Sequence, residues 1–240
     1  MRTIVAIGGG ELKDLDTLKL DKLIVEYTGK SRPRALFIPT ASGDSEDYAH
    51  TFERVYGGEL GCRTDVLRLL GSTSSGAEVA EQIARADLVY VGGGNTLRMM
   101  RRWRALGVDK LLLQAYERGT VLSGLSAGAM CWFRYGHSDS RQFSAKGGPW
   151  EYIRVKGIGV IPATVCPHHG SDERRLGFRK MIERYGGVGI GLDDCCALVW
   201  RDGTYSVMTS RDEARAWKLL KRNGEVTAEE FRHGDVIDIA

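Results

Sequence analysis

From the first residues to about position 190, short β-branched and apolar runs alternate with longer stretches whose apolar positions recur every three or four residues. Alternation of this kind builds βαβ units, in which crossover helices join parallel strands. The pattern predicts strands over residues 3–7, 35–39, 64–69, 88–91, 121–125 and 159–165, and helices over 17–27, 45–56, 77–84, 96–103, 109–117 and 172–185. Several of the strands end in glycine or other small residues. An open parallel sheet places its ligands beyond the carboxyl ends of its strands, so those ends are where chemistry is expected.

After about residue 189 the pattern changes. Apolar runs at 197–200 and 205–208 flank Asp202-Gly203, and a run at 214–220 precedes Asn223-Gly224. Both dipeptides tolerate positive φ and favour tight hairpins. The last fifty residues are therefore expected to be antiparallel strands, finishing the same sheet or forming a small one beside it. No low-complexity linker or internal repeat interrupts the chain, and one domain spanning 1–240 is the expected organisation.

Composition narrows the function classes. With 42% hydrophobic and 27% charged residues in a chain of 240, disorder and fibrous architectures are excluded. Basic and acidic residues number 34 and 31, so no global field calls for nucleic acid or an anionic membrane. Apolar runs such as 4–7 and 111–113 fall far short of the roughly 20 residues of a bilayer span. The opening run is too short for a secretion signal, and the cytoplasm is the expected compartment. The five cysteines form no CxxC pair; reduced thiols are expected, and a thiolate zinc site is not.

Three strand ends carry candidate chemistry. Gly124-Leu125-Ser126-Ala127-Gly128 closes the strand at 121–125 and precedes a short helix, the pattern of a nucleophile elbow. Small neighbours let the chain turn sharply there and present the serine hydroxyl. Gly92-Gly93-Gly94-Asn95 ends the preceding strand, one crossover earlier. The backbone N–H of Gly94 could join that of Ala127 to hold an oxyanion; a phosphate-cradling loop or a plain tight turn is the alternative. Cys166-Pro167-His168-His169 ends the strand at 159–165, and an imidazole is the usual base that activates a serine. Asp139 is the candidate for the group that orients the imidazole, with Glu151 and Asp172 in reserve.

In order and spacing, Gly92-Gly93-Gly94-Asn95-Thr96, Gly124-Leu125-Ser126-Ala127-Gly128-Ala129 and Pro167-His168 resemble the peptidase E family of serine peptidases, which includes aspartyl dipeptidases and, more distantly, cyanophycinases. The resemblance implies a three-layer α/β sandwich like that of class I glutamine amidotransferases, with a mostly parallel sheet. It maps the nucleophile onto Ser126, the base onto His168, since that residue follows the proline, and the oxyanion donors onto Gly94 and Ala127. It also implies an arginine that receives an acidic substrate side chain, for which Arg174 and Arg175 stand available, with Asn95 a further substrate contact.

The expected activity is a dipeptidase, with an N-terminal aspartate as a candidate preference and no metal or organic cofactor. A hydrolase of a branched isopeptide, amide or ester, and a binding module without turnover, are the alternatives. The expected partner is a small peptide, with no nucleic acid or membrane; a homodimer is left open. Three features are given lesser roles. Gly8-Gly9-Gly10-Glu11 lacks dinucleotide-binding spacing and is read as a tight turn lining the cleft. Arg98, Arg101, Arg102 and Arg104 are read as a solvated helix face, and Asp193-Asp194 as a turn or a support for other side chains.

Overall fold

The computed structural model describes residues 1–71, 75–142 and 151–239. Two sheets organise them. The first is built from β1 (Thr3–Ile7), β2 (Arg34–Ile38), β3 (Arg63–Val66), β4 (Leu88–Val91), β5 (Val121–Leu125), β10 (Cys196–Arg201) and β11 (Thr204–Thr209), in the order β11-β10-β1-β5-β4-β2-β3. From β1 to β3 all pairings are parallel; β10 and β11 add an antiparallel hairpin at the β1 side. The second sheet comprises β6 (Phe133–Ser138), β7 (Ile153–Lys156), β8 (Ile161–Pro167), β9 (Val188–Leu192), β12 (Ala216–Arg222) and β13 (Glu225–Phe231), in the order β13-β12-β9-β8-β6-β7.

Helices α1 (Leu18–Glu26), α2 (Glu46–Phe52), α3 (Gly76–Arg85), α4 (Thr96–Leu106), α5 (Val108–Glu117), α6 (Ala127–Met130) and α7 (Asp172–Tyr185) fill the crossovers. Alternate residues of a strand point to opposite faces. In β1, Val5 and Ile7 accordingly pack with Leu20 and Ile24 of α1 and Phe52 of α2. Ile4 and Ala6 belong to a core that also contains Met99, Trp103, Leu112 and Met130, and reaches Val165 and Ile190 of the second sheet. Phe178 and Ile182 of α7 pack with Cys166, Leu219 and Val226 of the second sheet in a cluster of their own.

The α/β class and the layered arrangement match the expectation, but the second sheet is larger than a terminal addition. The strand expected at 159–165 belongs to it as β8, flanked by β6 and β9. The helix expected over 45–56 ends at Phe52 and continues as a π-helical stretch from Glu53 to Glu59. The arginines of α4 are not simply solvated: Arg98, Arg102 and Arg104 donate to the carbonyls of Ala41, Leu69 and Lys156 at 3.0, 2.7 and 2.6 Å. They fasten neighbouring loops to the helix. Among the described residues no helix is long and apolar enough to cross a membrane.

Candidate active site

Ser126 terminates β5 with φ 55° and ψ −108°, a conformation that L-residues other than glycine rarely adopt and that costs about 1–3 kcal/mol. Its neighbours explain how the chain can turn there. A Cβ on Gly124 would lie 2.5 Å from the Gly128 carbonyl oxygen, and one on Gly128 would lie 2.0 Å from the Val91 oxygen. Any side chain at either position would open the elbow.

Because β4 and β5 are adjacent, with Val91 opposite Gly124, the Gly92–Gly94 loop lies beside the serine. Gly93 lies within ordinary van der Waals reach of the serine, with a Cβ there 3.5 Å from the Ser126 Cβ. Gly94 has φ 132°, and a side chain would strike the Ala41 carbonyl. Among the described residues no backbone acceptor faces the N–H of Gly94 or of Ala127. Asn95, expected to touch substrate, is instead the cap of α4. Its Oδ1 accepts from the Arg98 N–H at 2.9 Å and its Nδ2 donates to the Ser140 carbonyl at 3.2 Å, so its polar atoms are engaged within the fold.

His168 follows β8 directly, with φ 53°. Its Nε2 lies 3.0 Å from Ser126 Oγ, and its Nδ1 lies 2.6 Å from Asp194 Oδ1. An ionised carboxylate only accepts, so Nδ1 carries the proton donated to Asp194 and Nε2 is free to accept from the serine hydroxyl. The hydrogen bond from His168 is the main cause that holds the Asp194 carboxyl below its ordinary range. Asp194 reaches this place because β8 and β9 run parallel with Pro167 opposite Leu192, so both loops turn at the same sheet edge.

Asp139 is not the partner of His168. It follows β6 and pairs at 2.5 Å with Arg174, whose guanidinium also lies over the Tyr152 ring. The pair is largely buried, with side chains 19% and 12% exposed. Glu151 pairs with Arg141 on the surface, and Asp172 is an exposed residue in the first turn of α7. Arg174 is thus committed to Asp139. Arg175 donates to the Gly170 carbonyl at 2.6 Å, and neither arginine lines the cleft in front of Ser126. His169 points away from the serine into the second sheet, buried against Phe178 and Trp217.

The glycine run after β1 holds these loops together. Three successive carbonyls each accept from a different one: Ile7 from the Ser126 N–H at 2.9 Å, Gly8 from that of His168 at 3.2 Å, and Gly9 from that of Cys195 at 2.9 Å. The signal for Asp194 lay in its position at the end of a strand that neighbours β8, which no local spacing reveals.

In front of Ser126 opens a cleft of about 480 Å³, walled by Gly93, Gly94, His168 and Asp194 on one part and by Glu11, Lys13, Asp47, Tyr48 and Arg211 on others. Serine, imidazole and carboxylate thus meet at one edge of a pocket that Gly94, with its unpaired N–H, also lines. Such a set can activate a hydroxyl and hold a developing oxyanion. Among the described residues no three His, Cys, Asp or Glu side chains converge as metal ligands.

Residues 4–208 match the profile of Peptidase family S51. An uncharacterized peptidase, YgaJ, of Bacillus subtilis strain 168 is 34% identical over 230 residues, which cover 94% of this chain and 95% of the relative. The fold is shared with a crystal structure of a peptidase from an acI-B1 actinobacterium, at a TM-score of 0.76 and 22% identity over 99% of this chain and 96% of that one. It is also shared with a Listeria monocytogenes EGD-e structure assigned as a peptidase E protein, at a TM-score of 0.65 and 19% identity over 87% and 98% of the two chains. With the match running through most of its length and its serine set in a nucleophile elbow, the chain belongs to peptidase family S51, a family of serine peptidases.

Proposed function

We propose that this peptidase hydrolyses small peptides, dipeptides above all, through an acyl-enzyme formed on Ser126, with His168 as base and Asp194 as its orienting carboxylate. The observation that carries this reading is the continuous chain of contacts from Ser126 Oγ to His168 Nε2 at 3.0 Å and from His168 Nδ1 to Asp194 at 2.6 Å. Ser126 Oγ attacks the scissile carbonyl while Nε2 takes its proton. The carbonyl oxygen becomes an anion, and the N–H groups of Gly94 and Ala127 hold it. Each such donor contributes about 3 kcal/mol to the transition state. Asp194 stabilises the imidazolium, which then protonates the leaving amine. Water repeats the sequence on the ester and releases the acid.

A preference for N-terminal aspartate draws no support from Arg174 or Arg175, which serve Asp139 and Gly170. The acidic cleft residues Glu11 and Asp47 suit the free α-ammonium that every unblocked dipeptide carries, whatever its first side chain. Wild type and Ser126→Ala should be treated with a fluorophosphonate and assayed on neutral and acidic dipeptides, longer peptides, aryl esters and branched aspartyl isopeptides. Labelling and dipeptide cleavage that vanish together in the variant are expected. A folded wild type that resists the probe and releases no amino acid overturns the reading.

A further inference from the structure

A second cavity, of about 330 Å³, lies against the same histidine and is lined by Gly170, Ser171, Asp193, Glu213 and Ala214. His168, Asp194 and Arg211 border both this cavity and the cleft that contains Ser126. The imidazole that activates the serine must also protonate the departing nitrogen, so the leaving residue lies on the imidazole's side of the scissile bond. That is the side on which the two cavities meet. Of the Lys and Arg side chains, Arg211 alone lines both; Lys13 lines only the first.

Arg211 is held for this position. Its Nη2 donates to Asp16 Oδ1, and Asp16 Oδ2 accepts from the Glu11 N–H at 3.1 Å. The preceding residue ties the loop down: the Ser210 N–H donates to the Cys195 carbonyl at 2.9 Å, and its hydroxyl to the Asp16 carbonyl at 2.6 Å. The Arg211 side chain nevertheless remains 51% exposed. A guanidinium has five N–H donors, and the bond to Asp16 occupies one end of the fork. What remains suits a planar anion.

In a peptide whose last residue is the leaving group, the free α-carboxylate is two covalent bonds from the departing nitrogen. We propose that Arg211 receives this carboxylate, and that the site therefore selects peptides with one residue beyond the scissile bond. The assignment rests on the acyl-enzyme reading given above. It goes beyond that reading by naming the group that recognises the leaving residue.

The test compares kcat/KM for the best-cleaved dipeptide, its C-terminal amide and its N-(2-aminoethyl)amide. Wild type is expected to favour the free acid over the amide by about 30-fold, the worth of a charge-assisted contact. Arg211→Gln brings that ratio close to one, Arg211→Lys keeps part of it, and Arg211→Glu turns the preference toward the aminoethyl amide. Wild type that cleaves acid and amide equally, or a wild-type ratio retained in Arg211→Gln, overturns the assignment. Fluorophosphonate labelling separates the two levels. A labelled enzyme blind to the carboxylate removes only the role of Arg211, whereas an unlabelled, inactive wild type removes the acyl-enzyme mechanism as well.

Discussion

Gly9 and Asp194 approach more closely than any side chain at position 9 would permit: a Cβ on Gly9 would lie 1.9 Å from Asp194 Oδ1 and 2.5 Å from His168 Nδ1. Gly9→Ala therefore displaces the carboxylate and the imidazole together while leaving the strands intact. A shift of about 1 Å in such a constellation costs on the order of 10²-fold in rate. The expected result is a drop in kcat of that size with an unchanged far-ultraviolet circular dichroism spectrum. Retention of more than a tenth of wild-type kcat would show that the dyad does not depend on the missing methyl.

Asp194, which contacts His168, and Asp139, which the sequence suggested for that place, should separate cleanly on substitution. Asp194→Asn removes the acceptor that fixes the His168 tautomer, and kcat is expected to fall about 10³- to 10⁴-fold. Asp139→Asn leaves Arg174 without its carboxylate in a largely buried setting. That change should cost about 1–3 kcal/mol of stability in urea unfolding, with kcat within a few-fold of wild type. The reverse pattern would restore Asp139 to the mechanism.

Backbone strain at the elbow gives a prediction about stability alone. At φ 55° and ψ −108°, Ser126 occupies a region that glycine enters without steric cost. Ser126→Gly should be more stable than Ser126→Ala by about 1 kcal/mol, or roughly 2–4 °C in a chain of this size, with both variants inactive. Equal melting temperatures would mean that the turn stores no strain.

Two buried imidazoles set an acid limit to stability. Desolvation lowers His137 to about 3 and His169 to about 4. Unfolded histidines take up a proton near pH 6.5, so between 6.5 and about 4 the unfolded chain binds protons that the folded one refuses. The stability these groups support is complete above pH 6.5 and declines as pH falls through that window, by on the order of 3 kcal/mol for each group. Urea unfolding at pH 7 and pH 4.5 should show a smaller loss for His169→Gln than for wild type. An identical loss would place the acid sensitivity elsewhere.

Much of this organisation was legible in the chain because local and global signals agree there. The bounds of β1, β4, β5 and α7 coincide with the apolar runs and helical period that predict them. Ser126 and His168 could be picked out because each stands at a strand end in a recognisable string. The second sheet was harder to see. In β6, Phe133 and Gly136 are buried while Arg134 is exposed, and the buried His137 and Ser138 break any apolar alternation. Asp194 and Asp139 look alike as turn aspartates, and only the pairing of β8 with β9 against that of β6 with β8 decides between them. Arg174 illustrates the same limit from the other side: a cation near His168 in sequence is engaged by a carboxylate that follows another strand, β6.

The three successive carbonyls at the end of β1 and just beyond it also tie the integrity of the site to a single strand. Ile7, Gly8 and Gly9 are consecutive, yet the loops they anchor come from positions 126, 168 and 195. Their own strand is flanked by β10, where Ile7 faces Ala197. Ser126, His168 and Asp194 therefore come together only when segments from widely separated parts of the chain have all docked on this one strand, so loosening its end would scatter the three at once.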